Sequence, residues 1–292
     1  MIEVLESLLS KYSVVIENSI KDSLADFGIG ENKLRKATEY SLMGGGKRVR
    51  PLIIFVVANA VGKNFDVSDV AVAIEFVHTS TLIADDLPCM DNDIERRKKP
   101  TLHVAFNEAT ALLSSYALIA ASYNRIRLNA EKLRRATNTE IAWEAYNLVL
   151  ENVAFNTGVY GVLGGQFDDL FAENYSAENL KSIFSRKTGA LFEISFVMGW
   201  LFGGGHVKYL TDIKKLANHF GLIFQIVDDL IDYRQDQDKS ETDLNYISIL
   251  GEDAARNTLN EEAQSAQDIL SSLSIDSREL KVILDYLMMR SI

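Results

Sequence analysis

Apolar residues recur at helical spacing along nearly the whole chain. Val4, Leu5, Leu8, Leu9, Tyr12, Val15, Ile16 and Ile20 mark one face of a helix over 2–26, which Gly28 and Gly30 interrupt. A second helix is predicted over 32–42, ended by Gly44, Gly45 and Gly46. A third begins near Pro51, whose fixed φ suits a first helical turn. Val67, Val70, Val72, Ile74, Phe76, Val77, Leu82 and Ile83 predict a helix over 66–87. Helices follow at 108–129 and 139–159; the glycines of 161–165 punctuate before 176–204 and 208–233, and 251–271 and 276–289 end the pattern. No run alternates with the two-residue period of a strand, and no repeat or low-complexity linker appears. The pattern predicts an all-α chain, a single domain over 1–292 with ten or more helices.

Composition sharpens that picture. The 292 residues are 47% hydrophobic and 24% charged, with only three prolines, which suits a sizeable core and long uninterrupted helices. The longest uncharged stretches, Ala109–Asn124 and Asn152–Phe167, fall short of the ~18 apolar residues of a membrane span and read as buried helices. The first residues carry Glu3 and Glu6 instead of a basic region before an apolar core, so no signal peptide is expected. Cys89 is the only cysteine. It excludes an internal disulfide and fits a reducing, cytoplasmic setting. A net charge of −11 sets nucleic acid aside as a partner.

The chemistry concentrates in two acidic clusters. Asp85, Asp86, Asp91 and Asp93 lie within nine positions, behind an apolar run and ahead of Arg96, Arg97, Lys98 and Lys99. Asp228, Asp229 and Asp232 follow a second apolar run. On a helix Asp228 and Asp232 share a face, and Asp229 is close enough to swing in. Clustered carboxylates repel, and hard divalent cations such as Mg²⁺, shared between carboxylates and phosphates, relieve that repulsion. Each cluster alone also fits a solvated acidic patch; the pair favours a metal–phosphate site. Asp91 is off the ideal spacing from Asp85, and a bulge at Pro88 would return it. Lys47, Arg48 and Arg50 between a glycine run and a helix start suit a diphosphate cradle, although an ordinary helix corner has the same composition. His78, two turns before Asp85, is a candidate anion contact.

Taken together, G-G-K-R-V-R-P, H-x-x-x-L-I-x-D-D-L-P-C-M-D-N-D, R-R-x-K-P-T, G-G-Q-x-D-D, K-T-G-A-L and F-Q-I-V-D-D-x-I-D resemble the trans-prenyl diphosphate synthases, in that family's order and spacing. The resemblance implies a bundle around a central cavity, usually a homodimer, that condenses isopentenyl diphosphate with an allylic diphosphate. It implies that Asp85, Asp86, Asp91, Asp228, Asp229 and Asp232 bind about three Mg²⁺ ions, or Mn²⁺, which hold the allylic diphosphate. Arg96 and Lys187 would add charge there, and Lys47, Arg50, His78 and Arg97 would bind isopentenyl diphosphate. Thr188 and Gln225 would line the region where the carbocation forms. Ser80 and Thr81 stand where the family caps its hydrocarbon pocket. A small serine there favours a geranylgeranyl product over a farnesyl one, with Tyr116 or Tyr123 as alternative floors.

The sequence departs from the pattern at Ile94, at Lys98 in place of glycine, and at Ser115-Tyr116 in place of a Gly-Asp pair. It departs again in a short loop after Asp232 and in Asp243 at a usual lysine position, with Lys239 as a substitute. These features keep a farnesyl diphosphate synthase and a catalytically weak partner subunit as alternatives. A class I terpene cyclase fits less well, because it lacks both a second D-D-x-x-D and a basic cradle.

Overall fold

A helix that is apolar on every side has to be buried, and two of the described helices illustrate it. One is α4, Ser68–Asp85, whose residues 69–77 are buried without interruption. The other is Ala190–Phe202, buried throughout except at Glu193.

The computed structural model describes residues 2–171, 177–235 and 246–290. Before α4 come α1 (Ile2–Ser23), α2 (Lys33–Leu42) and α3 (Val49–Val61). After it come a two-residue hairpin, β1 (Glu95–Arg96) with β2 (Lys99–Pro100), then α5 (Leu102–Ala105), α6 (Glu108–Ala136) and α7 (Thr139–Thr157). The rest is α8 (Val162–Phe171), α9 (Ala177–Phe184), a π-helical turn (Ser185–Gly189), α10 (Ala190–Phe202), α11 (Leu210–Gln235), α12 (Tyr246–Leu250), α13 (Glu252–Ser272) and α14 (Arg278–Arg290). The all-α expectation of ten or more helices holds. No helix among the described residues is long and apolar enough to cross a membrane.

The described residues gather into two compact units. The first holds residues 9–55 and 65–146, and its main pairing is α4 along α6. Asn129 of α6 is fully buried; its side chain accepts from Val70 N and donates to Asp66 O, which ties α6 to the start of α4. Arg125 bridges Asp26 and Asp69 at 2.6 and 2.9 Å. The second unit holds the described residues of 2–8, 56–64 and 147–290. There α10 packs along α11 through the pairs Phe192–Phe224 and Phe196–Phe220, each 5.2 Å between centroids, and α11 packs on α13 and α14. Glu193, the polar position of α10, accepts from Asn152 Nδ2 at 2.7 Å and Asn156 Nδ2 at 3.1 Å.

Three expectations change. Gly164 and Gly165 do not break the chain but lie inside α8, because a neighbour comes too close for any side chain: a Cβ on Gly165 would sit 2.7 Å from Lys187 N. The helix expected over 66–87 ends at Asp85, so the chain turns at Pro88 instead of bulging within a helix. The hairpin was not legible as strand because each arm is two residues long. Its turn residues, Arg97 and Lys98, both have positive φ, 54° and 60°, as the primed turns of two-residue hairpins require. That explains the mismatch at Lys98: a left-handed side-chain-bearing residue costs about 1–2 kcal/mol, more than the about 0.5–1 kcal/mol of extra chain entropy carried by glycine. Lys98→Gly is therefore expected to raise the urea midpoint without changing the slope; an unchanged or lower midpoint would refute the assignment of strain.

Candidate active site

In the first unit the glycine run makes the cradle possible. Gly45 and Gly46 have φ of 86° and 140°. The Arg97 guanidinium lies against Gly46, and it is the φ of 140° that calls for glycine there. Arg97 donates to the carbonyl of Gly45. Arg50 Nη1 lies 3.4 Å from His78 Nε2. Lys47, exposed, precedes Arg48, which turns inward to Glu75 at 2.5 Å and Glu17 at 2.8 Å. Burial, followed by the positive charges of Arg50, Arg97, Arg48 and Arg96, holds the His78 imidazole well below its ordinary pKa. Its Nδ1 is buried with no hydrogen-bond partner. The predicted set Arg50, His78 and Arg97 is thus brought together, and His78 is neutral.

The first acidic cluster adjoins this cradle. Asp86 is 4% exposed and bound to Arg96 at 2.6 Å, while Arg96 also reaches Asp93 at 3.2 Å. Burial raises the Asp86 pKa, and Arg96 opposes the rise. After Pro88 the chain folds back so that Asp91 N donates to Asp85 O at 2.9 Å. The return of Asp91 to Asp85 is therefore achieved by a turn. Asp85 is half-buried and Asp91 exposed.

In the second unit the Asp228 carboxylate lies 3.6 Å from Arg290, and Asp232 is exposed one turn on. Asp229 is buried. It accepts from Gln225 Nε2 and from Tyr246 N, both at 2.8 Å, and burial raises its pKa. Gln225 Oε1 in turn accepts the Thr188 hydroxyl at 2.9 Å, so Thr188, Gln225 and Asp229 form one hydrogen-bonded chain. The π turn places Arg186 and Lys187 against α8, where Asp168 and Asp169 hold them at 2.5 and 2.6 Å. Beside them Gln166 is buried with neither amide atom bonded.

No group of three or more His, Cys, Asp or Glu among the described residues is arranged to hold a metal ion by itself. The donors present are carboxylates, the chemistry Mg²⁺ takes when it keeps several waters and shares phosphate oxygens. The residues therefore fit an ion that arrives with a phosphate ligand.

Ser80 is buried, its hydroxyl donated to Val77 O at 2.7 Å; Thr81 bonds His78 O at 2.9 Å. The α6 side chain that meets Ser80 is Ser115, which donates to Ser80 O at 3.0 Å. Tyr116 is 62% exposed and Tyr123 is exposed as well, so neither tyrosine is buried against Ser80. Sequence reasoning did not single out Glu75, and it took Gln166, Asp168 and Asp169 only as part of the G-G-Q-x-D-D motif, without a role. A signal existed for Glu75, a lone carboxylate inside an apolar run. Lys239, Asp243 and the short loop after Asp232 fall largely in 236–245, outside the described residues.

The chain matches the family model for polyprenyl synthetase over residues 31–287. It is 33% identical over 298 residues to the farnesyl diphosphate synthase of Bacillus subtilis, covering 98% of each chain. It is 32% identical to geranylgeranyl pyrophosphate synthase 4 of Arabidopsis thaliana, covering 83% of this chain and 67% of that one. Among solved structures it is similar to an FPP/GFPP synthase from Zymomonas mobilis, at TM-score 0.84 and 31% identity over 98% of this chain and 100% of the other. The chain belongs to the polyprenyl synthetase family. Its chemistry is prenyl transfer.

The neutral His78 gives a measurable consequence. As pH falls through about 6.5 the unfolded imidazole takes up a proton that the folded one refuses, so stability is present above that pH and declines below it, down to the folded pKa. A ring titration followed by NMR is expected to place the His78 midpoint clearly below 6.5; a midpoint at or above 6.5 contradicts the described burial.

Proposed function

We propose that the protein is a short-chain trans-prenyl diphosphate synthase that joins isopentenyl diphosphate to an allylic diphosphate, with geranylgeranyl diphosphate as its product, and that residues 1–292 act as one such domain. The observation that carries this reading is the cradle of Arg50, His78 and Arg97 beside the glycine run and next to Asp85 and Asp86. A terpene cyclase would have no use for it.

In this reading Lys47, Arg50 and Arg97 bind the diphosphate of isopentenyl diphosphate by charge, and the neutral His78 donates to it. Arg96 and Lys187 meet the allylic diphosphate, leaving Asp86 and Asp169 as that negative charge arrives. Asp85, Asp86, Asp91, Asp228, Asp229 and Asp232 are the carboxylates for Mg²⁺. When bound, Mg²⁺ supplies positive charge to the diphosphate as the allylic C–O bond breaks, where stabilisation counts towards rate. The Thr188–Gln225 pair presents oriented dipoles to the allylic cation. The double bond of isopentenyl diphosphate attacks, and the departed diphosphate accepts the proton released. Small residues at Ser80 and Ser115 support the longer product. Farnesyl diphosphate is the alternative, supported by the full-length likeness to the Bacillus enzyme. The exposed apolar side chains of α6, among them Leu112, Leu113, Tyr116 and Tyr123, support a homodimer. A weak partner subunit rests only on Asp243 and the short loop.

Incubation with Mg²⁺, isopentenyl diphosphate and each allylic starter is expected to yield a C20 product. A C15 product moves the pocket floor away from Ser80, and absence of condensation makes the partner-subunit reading the better one. Asp85→Ala and Asp228→Ala are each expected to lower kcat by about 100-fold or more with the helical circular dichroism unchanged. Full turnover in either variant would remove that residue from the metal site.

A further inference from the structure

The three cationic positions within residues 47–50 do not do the same thing. Lys47 is exposed and Arg50 half-buried beside His78, but Arg48 is only 8% exposed and points the other way. Its guanidinium meets three separate elements: Nε donates to Glu17 of α1 at 2.8 Å, Nη1 to Glu75 of α4 at 2.5 Å, and Nη2 to Leu42 O at the end of α2 at 2.6 Å. Its backbone is left-handed, φ 47°, so this inward turn is imposed on a conformation that arginine does not favour. The main partner, Glu75, is 2% exposed on α4, one turn before His78.

A buried ion pair of this kind is weak as a device for stability, since well-packed apolar residues often do as well or better. What it fixes is geometry. An arginine fork spans three acceptors in one plane, and the loop that carries Lys47 and leads into the first turn of α3 with Arg50 can take only the rotation that satisfies all three. It also fixes charge. Arg48, Arg50, Arg96 and Arg97 all act on His78; of the buried carboxylates near them, Asp86 pairs with Arg96, while Glu75 pairs with Arg48 and also acts on Arg97. Without a bound anion, four neighbouring guanidiniums would otherwise separate.

We propose that Arg48 and Glu75 are the positioning pair of the isopentenyl diphosphate cradle: Arg48 sets the loop that aims Lys47 and Arg50, and Glu75 holds the cations in place before substrate arrives. The proposal rests on the cradle reading above. Neither side chain touches substrate, so the effect falls on binding of one substrate and not on the allylic one.

The test is the double variant Arg48→Met/Glu75→Leu, which removes the pair while keeping net charge, so that any loss is positional. Isopentenyl diphosphate binding is followed by titration calorimetry, which needs no turnover, together with KM for each substrate and the melting temperature. The folded double variant is expected to bind isopentenyl diphosphate about tenfold or more weakly, with KM for the allylic substrate unchanged. Equal binding by parent and double variant, or equal rises in both KM values, overturns the pair's role while leaving the cradle intact. Failure of the parent itself to bind isopentenyl diphosphate overturns the cradle reading instead. Should the double variant not fold, Arg48→Lys keeps the charge and loses the fork. It is expected to show the same selective loss, and parent-like binding there overturns the proposal.

Discussion

Like charges gathered in a protein must be offset locally, and most of the architecture around this site follows from how that is done. Arg48, next to the cradle, is held by Glu75, and Asp86 and Asp93 of the first cluster are met by Arg96. In the second unit Asp229 is satisfied by an amide side chain and a backbone N–H, while Asp168 and Asp169 hold the two cations of the π turn. Apart from the Gln225–Asp229 bond within α11, these partnerships are made between separate segments of the chain, so meeting the electrostatic constraint also fixes how helices and loops sit within each unit.

The same partnerships have a chemical meaning for a prenyltransferase. Arg96 and Lys187 each rest on a carboxylate, and in the function proposed above the allylic diphosphate draws them from it. Such a resting state keeps the side chains near their working positions at little reorganisation, which is how oriented charge contributes to catalysis. Asp229 differs from Asp228 and Asp232. It is buried and fully bonded, so it joins Gln225 and Thr188 in a rigid chain, whereas its two neighbours face outward from the same helix.

Local irregularities do the aiming. The left-handed turn at Arg97 and Lys98, the glycines at 45 and 46, and the π turn at 185–189 are the places where the backbone departs from regular α-helix beside these cations. Gly165 belongs with them, since its missing side chain lets α8 approach the backbone of Lys187.

By itself the sequence determined the helical class, most helix positions and the identity of the charged residues, because a 3.6-residue apolar period and the spacing of Asp228 and Asp232 are properties of the local chain. It also singled out Arg50, His78 and Arg97 through motif likeness. Only the tertiary structure decided which charge meets which. That Arg48 turns inward while Lys47 and Arg50 do not, that Ser115 rather than Tyr116 meets Ser80, and that Asp229 is tied to Tyr246 N depend on contacts between residues 17 to 35 positions apart. Such contacts are fixed by the packing of helix on helix, which no local period encodes. The glycines at 164 and 165 show the same limit: in sequence they read as a break, and in the fold they are a helix brought close to Lys187, where there is no room for a methyl group.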